Sequence, residues 1–377
     1  MSEKKVVKIA AIGAGSRPRG LLELLLKHDI QVISVFDPDK AVAVESAALW
    51  SPEGTAKVCD SYQEAIDLPG VEWVFVASPN SVHCEQVVYA FQAGKHVFSE
   101  KPLATTIGDC KKIYDAHQKS GKLFATGFVL RYSAFYRKIK ELLDSGKLGE
   151  IISIEANENI PPNHGGYIMT NWRRHSSLSG PHILEKCCHD LDLINWFCQS
   201  LPSRVFAFAG RRFFIPENRK MEEKYPNAFK GWWDPHAAET PFTDDTDMDD
   251  YLSGVAEFRN KVTVSFNCTM CNAIPERRMR FNCAEGTLCA DLYSKQLVYR
   301  TINEECSVLL DFKYIDGHGG GDAHIMEELA ESMHNETVPK CSGSEGLESA
   351  VYALALDQAA KTGSVVDLEE TWKSLGR

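Results

Sequence analysis

The amino-acid sequence predicts two domains, one of the α/β class and one of the α+β class. The first is a doubly wound parallel sheet, and the second carries a large, mostly antiparallel, open sheet. The chain has 377 residues, about two to three times the length of a typical domain. Short apolar runs alternate with helical segments up to about residue 125, and segments of alternating apolar and polar residues follow from about residue 150.

The first domain is expected over residues 1–125. Strands that are buried on both faces read as continuous apolar runs, and strict alternation with helices is typical of a parallel sheet. The strand-like and helical segments, in order, are VVKIAAIG, GLLELLLKH, QVISVFD, AVAVESAALW, WVFVAS, HCEQVVYAFQAG, HVFSE, IGDCKKIYDAHQKSG and LFATGFV.

The second domain is expected over residues 126–377. Its strands are predicted in EIISIEANENI, RVFAFAGRRFF, SGVAEFRNKVTVSFNCTM and RRMRFNCAEGTLCADL. One helix interrupts them over SGPHILEKCCHDLDLINWF, with Ser179 near its N-cap and Pro181 in its first turn. The segment SEGLESAVYALALDQAAKTG predicts an amphipathic C-terminal helix, which we expect to pack near the first domain.

Charge and composition exclude several classes of function. The net charge is −11, from 41 basic and 52 acidic residues, so nucleic acid and anionic membranes are not expected partners. No apolar run reaches the roughly 18 residues of a membrane span, and the N-terminus does not resemble a signal peptide. The 12 cysteines are scattered without a disulfide framework, so we expect reduced thiols and a cytoplasmic protein.

A glycine motif follows the first predicted strand. In GAGSRPRG, Gly13 and Gly15 suit a tight turn that brings the backbone close to a pyrophosphate at the next helix, although Pro18 stands where a third glycine or alanine is usual. Asp37 ends the second predicted strand, about 20 residues onward, where an acid binds the ribose hydroxyls. Together these residues predict a dinucleotide-binding Rossmann domain.

Asp37 also favours NAD over NADP, because a carboxylate at that place repels a 2′-phosphate. Arg17 and Arg19 leave an alternative open. Either side chain is long enough to reach a phosphate, or equally the pyrophosphate or solvent.

Several stretches resemble the Gfo/Idh/MocA family of oxidoreductases, which includes glucose-fructose oxidoreductase and inositol dehydrogenase. The resemblance covers most of residues 6 to 200, and the EKP triplet in its GKHV context is specific to that family. The matching stretches are AIGAGS, VASPNSVHCEQVVYAFQAGKHVFSEKPLA, GFVLRYSAFYRKIKELLDSGKLGEI, NWRRHSSLSG and EKCCHDLDLINWF.

The resemblance implies a nicotinamide-binding first domain and a second domain whose open sheet mediates oligomers, with a sugar, inositol or derivative bound between them. It also implies that Lys101, the lysine of EKP, contacts the substrate hydroxyl and that His189 serves as acid or base. The family commonly has aspartate four residues before that histidine, where this chain has Glu185.

The helix that carries His189 groups further candidates. At 100° per residue, Glu185, His189, Asp192 and Trp196 lie within about 60° of one another. Two carboxylates on its own face would raise the pKa of His189 and orient its ring, which favours catalysis over a packing role. We expect Asp192 as the orienting partner and Glu185 as a second partner or a substrate contact.

The predicted sites are therefore as follows. The catalytic residues are Lys101, His189, Asp192 and Glu185. The cofactor-binding residues are Gly13, Gly15, Ser16, Arg17, Asp37, Ser78, Pro79, Asn80, His83, Glu100, Lys101 and Pro102. The substrate-binding residues are Lys101, Arg131, His164, Tyr167, Trp172, Arg173 and His189.

No metal is expected. Cys268 and Cys271 form a CxxC, but their odd spacing on a strand sends them to opposite faces. The acidic run over 244–250 lacks the glycine and the closing glutamate of an EF-hand loop and is interpreted as a solvated loop. The segment GHGGGDAH is interpreted as lining the cleft or as binding an anion through its backbone amides.

The predicted function is hydride transfer between a secondary hydroxyl of a sugar, inositol or sugar derivative and NAD, in a homodimer or homotetramer. Two alternatives remain open. One is a redox-neutral enzyme that cleaves or epimerises a glycoside by transient oxidation. The other is a non-catalytic sensor that binds NAD and a partner protein, as the yeast galactose-pathway repressor does; retention of Lys101 and His189 argues against it.

Overall fold

The computed structural model describes residues 6–231, 237–314 and 317–377. The chain forms two compact units. The first unit comprises Met1–Ser133 and Gly320–Ala350, and the second comprises Ala134–Gly319 and Val351–Arg377. This division differs from the predicted boundary at residue 125, since the segment that begins at Gly320 returns to the first unit.

The strands form two sheets. In chain order they are β1 (Val7–Ile12), β2 (Ile30–Phe36), β3 (Lys57–Val58), β4 (Trp73–Val76), β5 (His96–Ser99), β6 (Phe124–Thr126), β7 (Ile151–Asn159), β8 (Pro202–Gly210), β9 (Tyr251–Phe258), β10 (Thr263–Thr269), β11 (Arg278–Cys283), β12 (Gly286–Asp291), β13 (Gln296–Thr301), β14 (Val308–Asp311) and β15 (Val366–Asp367). The first six lie in the first unit and the others in the second.

The sheet of the first unit is parallel throughout, with the order β3-β2-β1-β4-β5-β6. This is the strand order of a dinucleotide-binding doubly wound fold, and it confirms the predicted class. Its two central strands are largely buried: all four residues of β4 are buried, and β1 is buried except for Lys8. The two-residue strand β3 was not predicted, because so short a segment has no periodicity.

The sheet of the second unit has the order β14-β13-β12-β11-β7-β10-β9-β8-β15. Its neighbouring strands are antiparallel, except for the parallel pair of β7 and β10. Buried and more exposed residues alternate along β9 and β10, which confirms the predicted sheet with one buried face.

The α-helices of the described chain, in order, are α1 (Ser16–Leu25), α2 (Lys40–Trp50), α3 (Tyr62–Asp67), α4 (His83–Gln92), α5 (Ile107–Ser120), α6 (Ala134–Asp144), α7 (Pro162–Thr170), α8 (Ser176–Ser179), α9 (His182–Glu185), α10 (Cys188–Cys198), α11 (Lys220–Lys224), α12 (Gly321–Asn335), α13 (Gly343–Thr362) and α14 (Glu369–Ser374). Side chains cap several of them; Asp39, for example, accepts the backbone N–H groups of Ala41 and Val42 at the start of α2. None of these helices is both long enough and apolar enough to cross a membrane.

The predicted single helix over SGPHILEKCCHDLDLINWF is wrong in its continuity. The chain instead forms α8, α9 and α10, with breaks at Gly180 and at Cys187. Ser179 is the last residue of α8, and its hydroxyl donates to backbone carbonyls of that turn rather than capping a new helix. Gly180 adopts φ +75°, a conformation that glycine takes without strain.

The acidic run over 244–250 is not a uniformly solvated loop, and that prediction is wrong for its last residue. The Asp250 carboxylate is buried and accepts the backbone N–H groups of Arg212, Phe213 and Phe214. These bonds fix the chain after β8. Phe213 packs against a local core that includes residues of α7. The buried residues of this core are Ile160, Ile168, Met169, Phe214, Phe229, Phe242, Met248 and Met270.

Candidate active site

In the first unit, the predicted cofactor residues gather at one edge of the sheet. Gly13 follows β1, Asp37 follows β2, Ser78 comes two residues after β4, and Glu100 follows β5. Parallel strands end at the same edge, and ligands of open α/β sheets bind there. The structure therefore brings these sequence candidates together.

The turn after β1 depends on Gly13. This residue has φ +90°, and a Cβ atom there would lie 2.7 Å from the backbone of Ala77 and Ser78. Gly15 differs, because a Cβ atom on it would meet nothing within 4 Å. Gly15 is also the N-cap residue of α1, so this open space adjoins the N-terminus of that helix.

Asp37 braces this turn. Its Oδ2 atom accepts the backbone N–H of Ala14 at 2.8 Å, and its Oδ1 atom accepts that of Asp39 at 2.9 Å. A carboxylate has about four lone-pair positions, so these two bonds leave acceptor capacity for hydroxyl groups.

The two arginines of the motif are engaged within the first unit. Arg17 Nε donates to Glu100 Oε1 at 2.9 Å, and its terminal nitrogens donate to Asp322 at 2.9 and 3.1 Å. Burial lowers the pKa of Arg17, but the charges of Glu100 and Asp322 raise it more, so the guanidinium stays charged. Arg19 donates to Ala14 O, Ser46 Oγ and Glu45.

Asp322 belongs to GHGGGDAH, for which the sequence analysis predicts either a lining of the cleft or an anion site. In the structure this carboxylate holds Arg17 from the first turn of α12.

Lys101 stands where the chain leaves β5. Its backbone N–H donates to Glu100 Oε2 at 3.0 Å, while Glu100 Oε1 accepts from Arg17. Glu100 has room because Gly127 lacks a side chain, and a Cβ atom there would lie 2.7 Å from Glu100 Oε2. Sequence reasoning missed Gly127, since a lone glycine after a strand carries no specific signal.

His83 does not have the free ring nitrogen that a cofactor contact would use. Its side chain is fully buried, Nδ1 lies 2.9 Å from Pro102 O, and Nε2 lies 2.9 Å from Ser78 O. The prediction that His83 binds the cofactor directly is therefore wrong. Both ring nitrogens face backbone carbonyl oxygens, a placement for which the sequence carries no signal.

The other candidates of the first unit have the following places. Ser16 begins α1 and is exposed, Pro79 caps the turn over Asn80–Val82, and Asn80 is buried. Pro102 follows Lys101 through a cis peptide bond. Arg131 NH1 lies 3.9 Å from Glu345 Oε1.

In the second unit, α10 carries His189 and Asp192 three residues apart on adjoining turns, and both are buried. The His189 ring faces His318, with 6.0 Å between the ring centroids. Glu185 ends α9 and is not on the helix of His189, so the predicted shared helical face is wrong for Glu185.

Glu185 instead belongs to a polar group with Arg173. Arg173 Nε donates to Glu185 Oε1 at 2.8 Å, and its NH1 donates to Tyr167 Oη at 2.8 Å. The guanidinium lies 4.4 Å from the ring centroid of Trp172, and the Tyr167 ring lies 6.4 Å from that of His164. The structure thus brings together four predicted substrate residues, which we call the Arg173 cluster: His164, Tyr167, Trp172 and Arg173.

A buried charge network anchors α10. Arg277 donates to both carboxylate oxygens of Asp190, at 2.8 and 2.7 Å, and its NH1 lies 3.4 Å from Glu158 Oε1. Lys186 Nζ lies 3.3 Å from the same Glu158 oxygen. Burial raises the pKa of Glu158, but Arg277 and Lys186 lower it more, so Glu158 is ionised.

The same charges act on His164. Burial and the nearby Lys186 ammonium lower the pKa of His164 to about 3, so its ring is neutral. Sequence reasoning set Lys186 and Asp190 aside and missed Glu158 and Arg277, because the pairs join residues that are distant in sequence; Asp190 and Arg277, for example, are 87 residues apart.

Among the described residues, one group of three side chains offers metal-ligand atoms close together: His182, Cys187 and Cys268, within 4.8 Å of one another. All three are buried. Hydrogen bonds from Cys187 and His182 hold the pKa of Cys268 below its ordinary value. Three donors are one fewer than structural zinc uses, and we interpret the group as a hydrogen-bonded part of the core.

Two family models match this chain. The model of the oxidoreductase family with an NAD-binding Rossmann fold covers residues 7–128, and the GFO/IDH/MocA C-terminal domain covers residues 136–289. The chain belongs to the GFO/IDH/MocA family. It is therefore an NAD-binding oxidoreductase, which confirms the resemblance inferred from the sequence.

Relatives within the family differ in what their names say they act on. The 1,5-anhydro-D-fructose reductase of Ensifer adhaerens is 24% identical over 87% of this chain and 89% of its own. The inositol 2-dehydrogenase of Gluconacetobacter diazotrophicus is 31% identical, but the match covers 44% of this chain and 46% of that protein. A solved levoglucosan dehydrogenase, in complex with NADH and levoglucosan, has the same fold, with a TM-score of 0.78, 18% identity and coverage of 96% of this chain and 99% of that one.

The first unit of this GFO/IDH/MocA protein fits a dinucleotide. A Cβ atom at Gly15 would fill the open space at the start of α1, and the backbone N–H groups there suit a pyrophosphate. Asp37 offers acceptors for ribose hydroxyls at the neighbouring strand end.

Proposed function

We propose that this chain is a dehydrogenase that oxidises a secondary hydroxyl of a sugar, an inositol or a sugar derivative with NAD. The observation that carries the proposal is the backbone of Lys101. It is tied to Glu100 at the sheet edge that also holds the glycine turn and Asp37. A lysine in that position supplies a cationic donor for a substrate oxygen beside the cofactor.

The residues divide the chemistry between them. Bound NAD supplies the hydride acceptor. Lys101 holds the reacting oxygen, and His189 accepts the hydroxyl proton as a general base. Asp192 orients His189, since it lies three residues further along α10, whereas Glu185 is engaged with Arg173 at 2.8 Å.

The Arg173 cluster supports a carbohydrate or polyol as the substrate. Sugar hydroxyls need several donors and acceptors, and the cluster has a guanidinium, a phenol and a neutral imidazole. The rings of Tyr167 and Trp172, which both lie against the Arg173 guanidinium, add aromatic surface for C–H groups. Glu185 contributes by holding Arg173 in place.

NAD, rather than NADP, is the proposed cofactor. The Asp37 carboxylate lies at the end of β2 and repels a 2′-phosphate. The nearby arginines do not offset this repulsion, because Arg17 is paired with Glu100 and Asp322, and Arg19 with Glu45.

We also propose that the protein works in the cytoplasm. All twelve cysteines are free thiols, which is typical of a reducing compartment.

A panel of sugars, inositols and glycosides tests the proposed reaction. Formation of NADH is followed by absorbance with each sugar or polyol, and release of the aglycone is followed with each glycoside. We expect net NADH formation with at least one member, at a rate about 100-fold or more lower in the Lys101→Met variant. Aglycone release or epimerisation without net NADH would contradict net dehydrogenation and favour the redox-neutral alternative. Tight NAD binding without turnover of any member would favour the sensor.

A further inference from the structure

The fully buried His83 side chain joins two segments of the first unit. Its Nδ1 atom lies 2.9 Å from the carbonyl oxygen of Pro102, directly after Lys101, and its Nε2 atom lies 2.9 Å from the carbonyl oxygen of Ser78. The Ser78 backbone lies where a Cβ atom on Gly13 would clash, so it borders the glycine turn. One ring thus touches both the lysine segment and the cofactor turn.

The backbone of Lys101 is held from two sides. On one side its N–H donates to Glu100 Oε2 at 3.0 Å, and Glu100 is fixed by Arg17. On the other side Pro102 O lies against His83. The side chain of Lys101 leaves the backbone between these two contacts, so its direction depends on both.

We propose that His83 is a positioning residue for Lys101. Its Nδ1–H group holds the Pro102 carbonyl and thereby fixes where the Lys101 ammonium meets the substrate oxygen. The proposal rests on the proposed function, in which Lys101 binds that oxygen.

The protonation of His83 decides which carbonyl it can hold. A carbonyl oxygen only accepts, and a neutral imidazole has one N–H group. Burial has the largest effect on the pKa of His83 and lowers it, and the charge of Lys101 lowers it further. The two carbonyls and Glu100 raise the pKa, but it remains below its ordinary value. At neutral pH the ring therefore donates to one of the two carbonyls, and the proposal assigns that bond to Pro102.

Two substitutions separate the two contacts of His83. The amide nitrogen of asparagine takes the place of Nδ1, so His83→Asn keeps a donor for Pro102. The amide nitrogen of glutamine takes the place of Nε2, so His83→Gln keeps a donor for Ser78. His117→Gln is the matched control, because His117 also bonds a backbone carbonyl in this unit, that of Lys122 at 3.0 Å.

The experiment measures kcat, KM and the Kd for NAD of each variant, alone and combined with Lys101→Met. We expect His83→Gln to lower kcat by about tenfold to 100-fold, as small misplacements of a reacting group do. The Kd for NAD should change less than about threefold, and His83→Asn and His117→Gln should stay near the wild type. In the Lys101→Met background, His83→Gln should change kcat less than about twofold, because residues that act as a unit are not additive.

A second readout does not need a substrate. The rate at which an amine-acylating reagent labels Lys101, followed by peptide mass spectrometry, should change in His83→Gln and not in His83→Asn. Two results would overturn the positioning role. One is an equal loss of kcat in His83→Gln and His83→Asn, and the other is a loss of kcat from His83→Gln that is as large in the Lys101→Met background as in the wild type. If Lys101→Met turns over like the wild type while the labelling pattern holds, the proposed function fails and the positioning role stands.

Discussion

Asp37 is the residue on which the proposed preference for NAD over NADP depends. We expect Asp37→Ala to weaken NAD binding by about tenfold or more, because hydrogen bonds to charged groups contribute about 1.5–3 kcal/mol. NADP binding should weaken less or improve, since the repelling carboxylate is gone. Titration of both cofactors against wild type and variant measures this. Equal dissociation constants for NAD and NADP in the wild type would contradict the account.

The two glycines of the turn predict different outcomes. Gly13→Ala places a methyl group 2.7 Å from the Ala77 and Ser78 backbone at φ +90°, so we expect loss of both stability and NAD binding. Gly15→Ala meets nothing within 4 Å, so the fold should be retained while the added methyl group weakens NAD binding. Thermal unfolding and NAD titration of the pair check this. Equal stability of the two variants would show that the close approach at Gly13 is unimportant.

The sequence analysis placed the candidate cofactor residues of the first unit at the ends of strands, because each strand has a local pattern that can be recognised in the sequence. Gly13, Asp37 and Glu100 lie at one sheet edge, as expected. The hydrogen-bond partners of other candidates could not be predicted: Arg17 pairs with Asp322, 305 residues away, and the His83 ring lies against the Pro102 carbonyl. Such contacts depend on folded geometry and have no local signal.

At the scale of elements, α10 depends on the pairing of Asp190 with Arg277. Removing one partner of a buried ion pair leaves an uncompensated charge, so Arg277→Met should lower the free energy of unfolding by about 3–5 kcal/mol. Arg259→Met removes the half-exposed pair with Glu369 and should cost about 0–1 kcal/mol. Denaturant titration of both variants checks this. A similar small effect of both would contradict the role of the buried network.

Tertiary ion pairs also explain why the prediction of one continuous helix before and through α10 is wrong. The 3.6-residue period runs through SGPHILEKCCHDLDLINWF and predicts one helix. Three side chains of this segment reach separate partners, however: Glu185 binds Arg173, Lys186 binds Glu158, and Asp190 binds Arg277. Tertiary pairing of this kind overrides local periodicity. The predicted C-terminal helix is present as α13, but it is not amphipathic as predicted, because buried residues such as Val351, Tyr352 and Ala353 lie on several sides of it.

At the scale of the whole molecule, the division of the chain was only partly predictable. The segment Gly320–Ala350 belongs to the first unit. Its contacts include Asp322 with Arg17 and Glu328 with Tyr132, which are separated by 305 and 196 residues. The sequence predicts only the C-terminal helix near the first domain, and composition and periodicity give no signal that α12 also belongs to the first unit.

We propose that the open sheet face of the second unit forms a homodimer or homotetramer by pairing with a second copy. Phe208, Val255 and Val365 are 64%, 54% and 62% exposed, and an apolar sheet face of this kind is a liability in a monomer. Sedimentation at micromolar concentration should show a multiple of 42.1 kDa. Val255→Glu should shift the protein toward monomer, whereas Val44→Glu, at a 53% exposed residue of the first unit, should not. A wild-type monomer would contradict the proposal.

In the proposed function, Lys101 and His189 act on the same substrate oxygen. The most direct measurement compares turnover and NAD affinity in Lys101→Met, His189→Ala and the double variant, with a substrate from the panel. We predict nearly unchanged NAD affinity and a loss of turnover of about 10²–10⁴-fold in each single variant. The double variant should lose less than the product of the two. Full turnover in both single variants would contradict the account and make His189 a packing residue.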